Sequence, residues 1–361
     1  MEHNLAKVGV EGSNSFIRGN NPQSSHAMKP IVPGIPSRLG AVLLVGALAN
    51  MVVPPAHAAE PSVWVSTNDP THGGAGDFWQ MFQPNAPWQS ARRHVAVFSI
   101  DQNLVTNGPP DKLRTFYAYL KDNHIALAIG IGMLTWSEQC GKHVEGYVPP
   151  GGSDYVAKRI KSLGGELAYI GIDEAFWFGR YYFGNNACHA SIDTIATDLA
   201  ANFKAYQAVF PNVRLGDVEP FGPPPGGDRP GASWARTTQD WISALQSKTG
   251  APLAFVHEDI TDWRRPLANY LPAVSDLMKS NHIPFAPIFI AASGDGPDAA
   301  WMASAERNID AIRALKMTPP DHLVFATWHI HPTKNLPETS PEAFTHLIDY
   351  YFAGRLPGHV D

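Results

Sequence analysis

The residues best placed to do chemistry are carboxylates that trail short apolar runs. Asp173-Glu174 follows one run, Asp217-Val218-Glu219 the next, and His257-Glu258-Asp259 the one after; Asp101 ends an earlier run, and Asn68-Asp69 follows the first. Carboxyl groups crowded at one partly desolvated place repel each other's charge. Some then stay protonated near neutral pH while neighbours ionise, which is what general acid–base work requires. Asp and Asn at such places also cap helices, and that role is expected for Asp262 and Asp259. Glu is a poor cap, so Glu174, Glu219 and Glu258 on successive runs point to a site.

Aromatic residues accompany the acids. The chain has 10 Trp and 11 Tyr, and Trp136, Trp177, Phe178, Phe221, Trp263 and Trp328 all follow apolar runs. Large aromatics are mainly core formers, but an indole face also receives the C–H face of a sugar ring, and Trp177 and Trp328 are the expected sugar contacts. Two carboxylates amid aromatics describe glycosidic bond cleavage: one acid protonates the leaving oxygen, and a second carboxylate attacks the anomeric carbon or activates water. Glu174, Glu258, Asp173 and Glu219 are the catalytic candidates. Asp101, Asp217, His257 and His329 are expected to hold substrate hydroxyls.

The elements that must position these residues recur as eight runs: 63–65, 94–100, 126–131, 167–172, 213–216, 252–256, 285–290 and 323–327. Stretches with helical spacing lie between them, for example Leu113, Phe116, Tyr117 and Leu120 on one face, or Ile192, Ile195, Leu199, Phe203 and Tyr206 on another. Further helices are expected from Ser153 to a Gly164-Gly165 stop and over 234–245, 266–278, 299–315 and 341–352, while 70–93 reads as a long loop. Eight strand–helix repeats over some 300 residues fit a single α/β domain, a (β/α)8 TIM barrel with long βα loops, whose site lies at the C-terminal ends of the strands. A doubly wound open sheet would carry a Gly-rich phosphate turn after an early strand, and the 222–227 GPPPGG stretch is not one. The two-residue strand period points Tyr169, Gly171 and Asp173 into the barrel. On the sixth run, with Leu253 and Phe255 taken as outward, it points Ala254, Val256 and Glu258 inward. Asp217 and Glu219 share one face. Runs four and six are not adjacent, so pairing Asp173 or Glu174 with Glu258 leans toward the wider carboxylate separation of inverting enzymes.

Residues 28–58 read as a signal peptide: a basic start (Lys29, Arg38), the apolar run 39–53, and Ala56-His57-Ala58 as a cleavage site. Residues 1–27 form a polar extension and 61–357 the barrel. Export to the periplasm or medium is therefore expected, with no stable membrane association after processing. Cys140 and Cys188 follow runs three and four, so neighbouring loops can join them in a disulfide. With 44% hydrophobic and 17% charged residues the chain can fill a core, and its net charge of −6 makes nucleic acid a poor partner. A monomer acting on carbohydrate without cofactor or metal is expected.

The pattern at the strand ends resembles the clan A type of TIM-barrel glycoside hydrolases, in which the acid/base Glu follows an Asn at the end of strand four. Asp173-Glu174 stands at that place, with Asp for Asn, and the resemblance makes Glu174 the acid. The family's nucleophile follows strand seven, where this chain has Ala291-Ala292-Ser293. The second carboxylate is therefore expected from strand five or six, as Glu219 or Glu258. Three other readings are a metal-dependent hydrolase using His329-x-His331 with His257 and nearby acids, a non-catalytic glycan-binding barrel, and a polysaccharide lyase.

Overall fold

The structure is a computed structural model and describes residues 60–72, 75–222, 232–294 and 296–354. The expected extension, the signal peptide and the last residues of the expected barrel span lie outside the described residues.

Eight parallel strands close into a barrel in the order β1 (Ser62–Ser66), β10 (His322–Ala326), β9 (Phe285–Phe289), β8 (Val256–Glu258), β7 (Arg214–Glu219), β6 (Leu167–Asp173), β3 (Ala126–Ile131) and β2 (Val95–Asp101). A two-stranded sheet, β4 (Leu134–Thr135) with β5 (Tyr147–Val148), sits in the loop after β3. The helices are α1 (Gln89–Arg92), α2 (Gln102–Asn107), α3 (Pro110–Asp122), α4 (Gly152–Ser162), α5 (Ala175–Arg180), α6 (Ile192–Val209), α7 (Ala232–Thr249), α8 (Leu271–Ser280), α9 (Asp298–Arg313) and α10 (His346–Ala353). The expected barrel is thus present. The 70–93 stretch holds two 3-10 turns, 70–72 and 78–82, and the one-turn α1 in place of a full helix.

Local chemistry accounts for the boundaries. Pro110 opens α3, where its missing N–H costs nothing. Ser191 caps α6 by accepting from Thr194 N at 3.1 Å. Gly164 takes the left-handed conformation (φ +88°) that ends α4. β8 is only three residues long; it begins four residues later than the apolar run, whose first residue, Pro252, lacks an amide for the ladder.

Register fixes which side chains face the axis. Trp64 pairs with Val324, Val324 with Ile288, Asp101 with Gly130, Gly130 with Gly171, Gly171 with Gly216, Asp173 with Val218, and Val218 with His257. Ring contacts agree. The Trp64 ring centroid lies 4.8 Å from that of Tyr169 on β6, and 4.7 and 4.9 Å from those of Phe255 and His257 at β8, side chains that can meet across the barrel only inside it. On the outer face, Phe98 packs against Phe82 and Phe116.

The expected parity of β6 holds. That of β8 does not: Phe255 and His257 face the axis, and Val256 and Glu258 face the helix layer. Both faces of a barrel strand are buried, so an apolar run carries no alternation from which to read direction. Glycines at 171 and 216 leave the room that the Phe255 ring fills; a Cβ at Gly216 would lie 2.4 Å from that ring.

Candidate active site

Glu174 is the centre of the acidic group at the barrel mouth. It follows β6 directly, its amide continues the ladder by donating to Val218 O at 2.9 Å, and its backbone is left-handed at φ +48°. That conformation is uncommon for a residue with a Cβ and clusters at functional positions. It turns the side chain off the strand period. Its carboxyl is hydrogen-bonded to that of Asp259, with Glu145 and Asp173 close enough to repel its charge. Burial comes first, and the charge and hydrogen bond of Asp259 next, in holding the Glu174 proton well above the ordinary carboxylate range.

One partner is its chain neighbour, and the others arrive from two other places. Asp173 ends β6 on the inward parity. Asp259 donates its amide to Glu219 O at 3.1 Å, so the β8 ladder runs one residue past the strand and carries Asp259 inward, two residues after His257. Expected as a helix cap, Asp259 is instead the hydrogen-bond partner of Glu174. Asp262, also expected as a cap, accepts from Arg264 N and from the Arg264 guanidinium. Glu145 is delivered by the loop after β3. There Gly146 (φ +79°) lies so near the end of β6 that a Cβ would stand 3.3 Å from both Ala175 Cα and Phe178 Cβ.

Glu219 and Glu258 lie beside this group, where the charge of Asp173 reaches Glu219 and that of Asp259 reaches Glu258, but both are engaged with loop amides. Glu219 is buried and accepts from the amides of Phe176 (2.5 Å) and Trp177 (3.1 Å), at the start of α5. Glu258 is fully buried and accepts from the amides of Phe221 (3.1 Å) and Gly222 (2.9 Å). The two form a repeated device in which a carboxyl at the end of one strand ties down the loop leaving the previous strand. Burial, then the charge of Asp217, raises the proton affinity of Glu219, and the two amides oppose it. Burial and Asp259 do the same for Glu258, opposed by Gly222 and Phe221. Asp217 shares the outward face of Glu219, as expected, and accepts from Trp241 Nε1 of α7 at 2.7 Å; burial raises it to about 7.

The other expected contacts divide. Asp101 faces the axis but also caps α2, accepting from Asn103 N at 2.6 Å. His257 is buried in the barrel, not offered at the mouth: its Nε2 lies 3.0 Å from His322 Nδ1, and its ring stacks on Phe255 at 4.3 Å. Burial and then His322 hold it well below the usual imidazole range. His329 Nδ1 accepts from Trp301 Nε1 at 3.0 Å, and His331 Nδ1 lies 2.7 Å from Asp298. The three histidines of the metal reading are thus committed to three separate partners. Trp328 is 37% exposed in the loop after β10, a strand diametrically opposite β6. Trp177 lines a side cleft of about 190 Å³ with Tyr181, Phe221 and Trp234, between α5 and α7. Cys140 and Cys188 form the expected disulfide, with Cα atoms 5.2 Å apart, and join the loop that carries Glu145 to the loop that follows α5. Among the described residues no helix is long and apolar enough to cross a membrane.

Sequence reasoning missed Asp259 and Glu145. For Asp259 the signal was its two-residue spacing from an inward His257; for Glu145 it was the neighbouring glycine, which alone does not say what the loop approaches.

No family model matches the chain, and none of the curated proteins does. Among solved structures it is similar to an intracellular xylanase from Thermoanaerobacterium saccharolyticum (12% identity, 75% of this chain and 87% of that one, TM-score 0.45). It is also similar to a fungal β-1,4-galactanase (9%, 65% and 78%, TM-score 0.41) and to orotidine 5'-monophosphate decarboxylase from Methanocaldococcus jannaschii (10%, 80% and 98%, TM-score 0.40). The first two are glycoside hydrolases and the third is a decarboxylase, and likenesses this faint assign neither reaction to this chain. What the coordinates themselves define is a (β/α)8 barrel with an acidic group at its C-terminal mouth.

Proposed function

We propose that the chain is an exported glycoside hydrolase whose proton donor is Glu174. One observation carries the reading: the Glu174 carboxyl, on a left-handed residue at the mouth, shares a hydrogen bond with Asp259 and stands within the repulsion of Asp173 and Glu145. A carboxyl so held keeps its proton near neutral pH and is poised to give it up to a leaving oxygen.

In the proposed reaction the Glu174 O–H protonates the glycosidic oxygen as the bond to the anomeric carbon breaks. The electron pair of that bond leaves with the alcohol. Asp173, facing the axis, is the carboxylate that steadies the positive charge growing on the ring and takes one proton of the incoming water as the water oxygen bonds to the anomeric carbon. Asp259 is a positioning residue: it sets the orientation and proton affinity of Glu174. Trp328, on the opposite wall, offers an indole face for a sugar ring. Carbohydrate is thus the proposed partner, and the apolar run with its Ala-His-Ala site ending at Ala58 is the basis for proposing export.

A panel of poly- and oligosaccharides, with analysis of the product anomer, tests the proposal. The expected result is cleavage of at least one glycan by the wild type and loss of that cleavage in Glu174→Gln. A wild type inert on the whole panel, or a Glu174→Gln variant of full activity, counts against it.

A further inference from the structure

Exposure along the inward positions of the barrel is lopsided. On β1, β2 and β3 the lower inward side chains Trp64, Val97 and Ala128 are closed to solvent, and the next inward residues up, Ser66, Ser99 and Gly130, are partly open to it. On the far side the barrel stays closed to the top of the strands: His257, Ala286, Ile288, Val324 and Ala326 are all buried. Solvent reaches an inward residue of a closed barrel only through a hollow. Because the residues beneath are buried, the hollow descends from the C-terminal mouth and is floored by Trp64.

Its wall is unusual for a barrel interior, where bulky branched side chains normally fill the layers. A Cβ added at Gly130 would meet no atom within 4 Å. Ser66 and Ser99 present hydroxyls that make no side-chain hydrogen bond to another described residue. At the rim, two residues beyond Ser66, Asn68 is 1% exposed; its Nδ2 donates to His329 O, and its Oδ1 is buried without a donor. Asp101 stands beside Gly130 in register, and Gly130 is in turn in register with Gly171, two residues below Asp173.

We infer that this recess over β1, β2 and β3 receives one polar ring of the substrate, with the hydroxyls of Ser66 and Ser99 as its specificity-determining wall and Gly130 as the position that keeps it open. A ring bearing several hydroxyls matches the two wall hydroxyls, each of which can donate and accept. The inference rests on the glycosidase reading and narrows it to substrates that put a hydroxylated ring below the level of Asp173.

Gly130→Val and Ser99→Ala test it. Valine suits a strand, and its Cβ would meet no atom within 4 Å, so the Gly130→Val barrel is expected to melt close to wild type. On the glycan that the wild type cleaves, Gly130→Val is expected to raise KM by tenfold or more, and Ser99→Ala by about three- to tenfold, the range of one uncharged hydrogen bond; kcat is expected to change far less than in Glu174→Gln. Unchanged KM in both variants, with the wild type active, overturns the recess and leaves the glycosidase reading standing. Should the wild type cleave nothing, the same variants are compared for binding of glucose, xylose and galactose by ligand-observed NMR. Binding lost in Gly130→Val upholds the recess without the reaction, and equal binding, or none by the wild type, overturns it.

Discussion

Glu258 separates a structural carboxylate from a catalytic one. Replacing it by Ala leaves the amides of Phe221 and Gly222 without their acceptor in a site closed to water. An unpaired buried donor costs about 1–3 kcal/mol, so the pair costs about 2–6 kcal/mol. Part is offset because a buried carboxyl, whose proton affinity is already raised by desolvation, no longer has to be accommodated. A net loss of about 2–4 kcal/mol is expected, or about 4–8 °C in melting temperature at the roughly 2 °C per kcal/mol of a domain this large. Glu258→Gln, which keeps one acceptor oxygen, is expected to lose about half as much. Thermal unfolding followed by circular dichroism gives the shift, and activity is read per folded molecule well below the melting point. Both variants are expected to keep activity within a few-fold of wild type. A Glu258→Ala protein that melts with wild type but has lost turnover by orders of magnitude refutes the reasoning and moves Glu258 into the chemistry.

Three further outcomes are expected. His322 is lowered to about 4 by burial, against the counter-effect of Asp321 and with Arg214 adding to the fall, and it faces Trp64, Phe255 and His257. A histidine depressed in the fold supports stability fully above its unfolded value near 6.5 and loses it as pH falls toward 4, so His322→Gln flattens the acid side of a melting-temperature profile between those limits; an unchanged slope rules this out. Opening the Cys140–Cys188 bond in a Cys140→Ser, Cys188→Ser protein frees a loop with a sequence separation of 48. Chain entropy sets the upper loss at about 4 kcal/mol, and because the bond joins the loops that carry Glu145 and follow α5, KM rises as well; calorimetry and kinetics together read both effects. Trp328→Ala removes a half-exposed indole and is expected to raise KM on polymeric substrate several-fold with little change in melting temperature, since little buried surface is lost.

The barrel was legible because every strand–helix repeat carries its own periodicity, and so was the side of the molecule on which the acids gather. The direction of side chains on β8 was not, since Phe255 and Val256 are equally apolar and both faces of the strand are buried. Glu219 and Glu258 looked catalytic because Glu seldom caps a helix. Here they do a related task on longer side chains, holding the amides of Phe176, Trp177, Phe221 and Gly222. Asp259 lay one residue past the strand, where its direction depends on the amide bond to Glu219 O. The left-handed turn at Glu174, which aims its carboxyl at Asp259, has no signature in residue type. The recess over β1 to β3 was hidden for a different reason: small residues such as Ser66, Ser99 and Gly130 on separate strands show a void only once register aligns them.

The pH dependence of kcat/KM in wild type, Asp259→Asn and Glu174→Gln tests the carboxyl pair most directly. With Glu174 as donor and Asp259 as the group that keeps its proton on, the alkaline limb of the wild-type profile moves to lower pH in Asp259→Asn, and Glu174→Gln falls by about 10²–10⁴-fold while melting as wild type does. An alkaline limb that stays in place without Asp259, together with a Glu174→Gln enzyme as fast as wild type, contradicts the account.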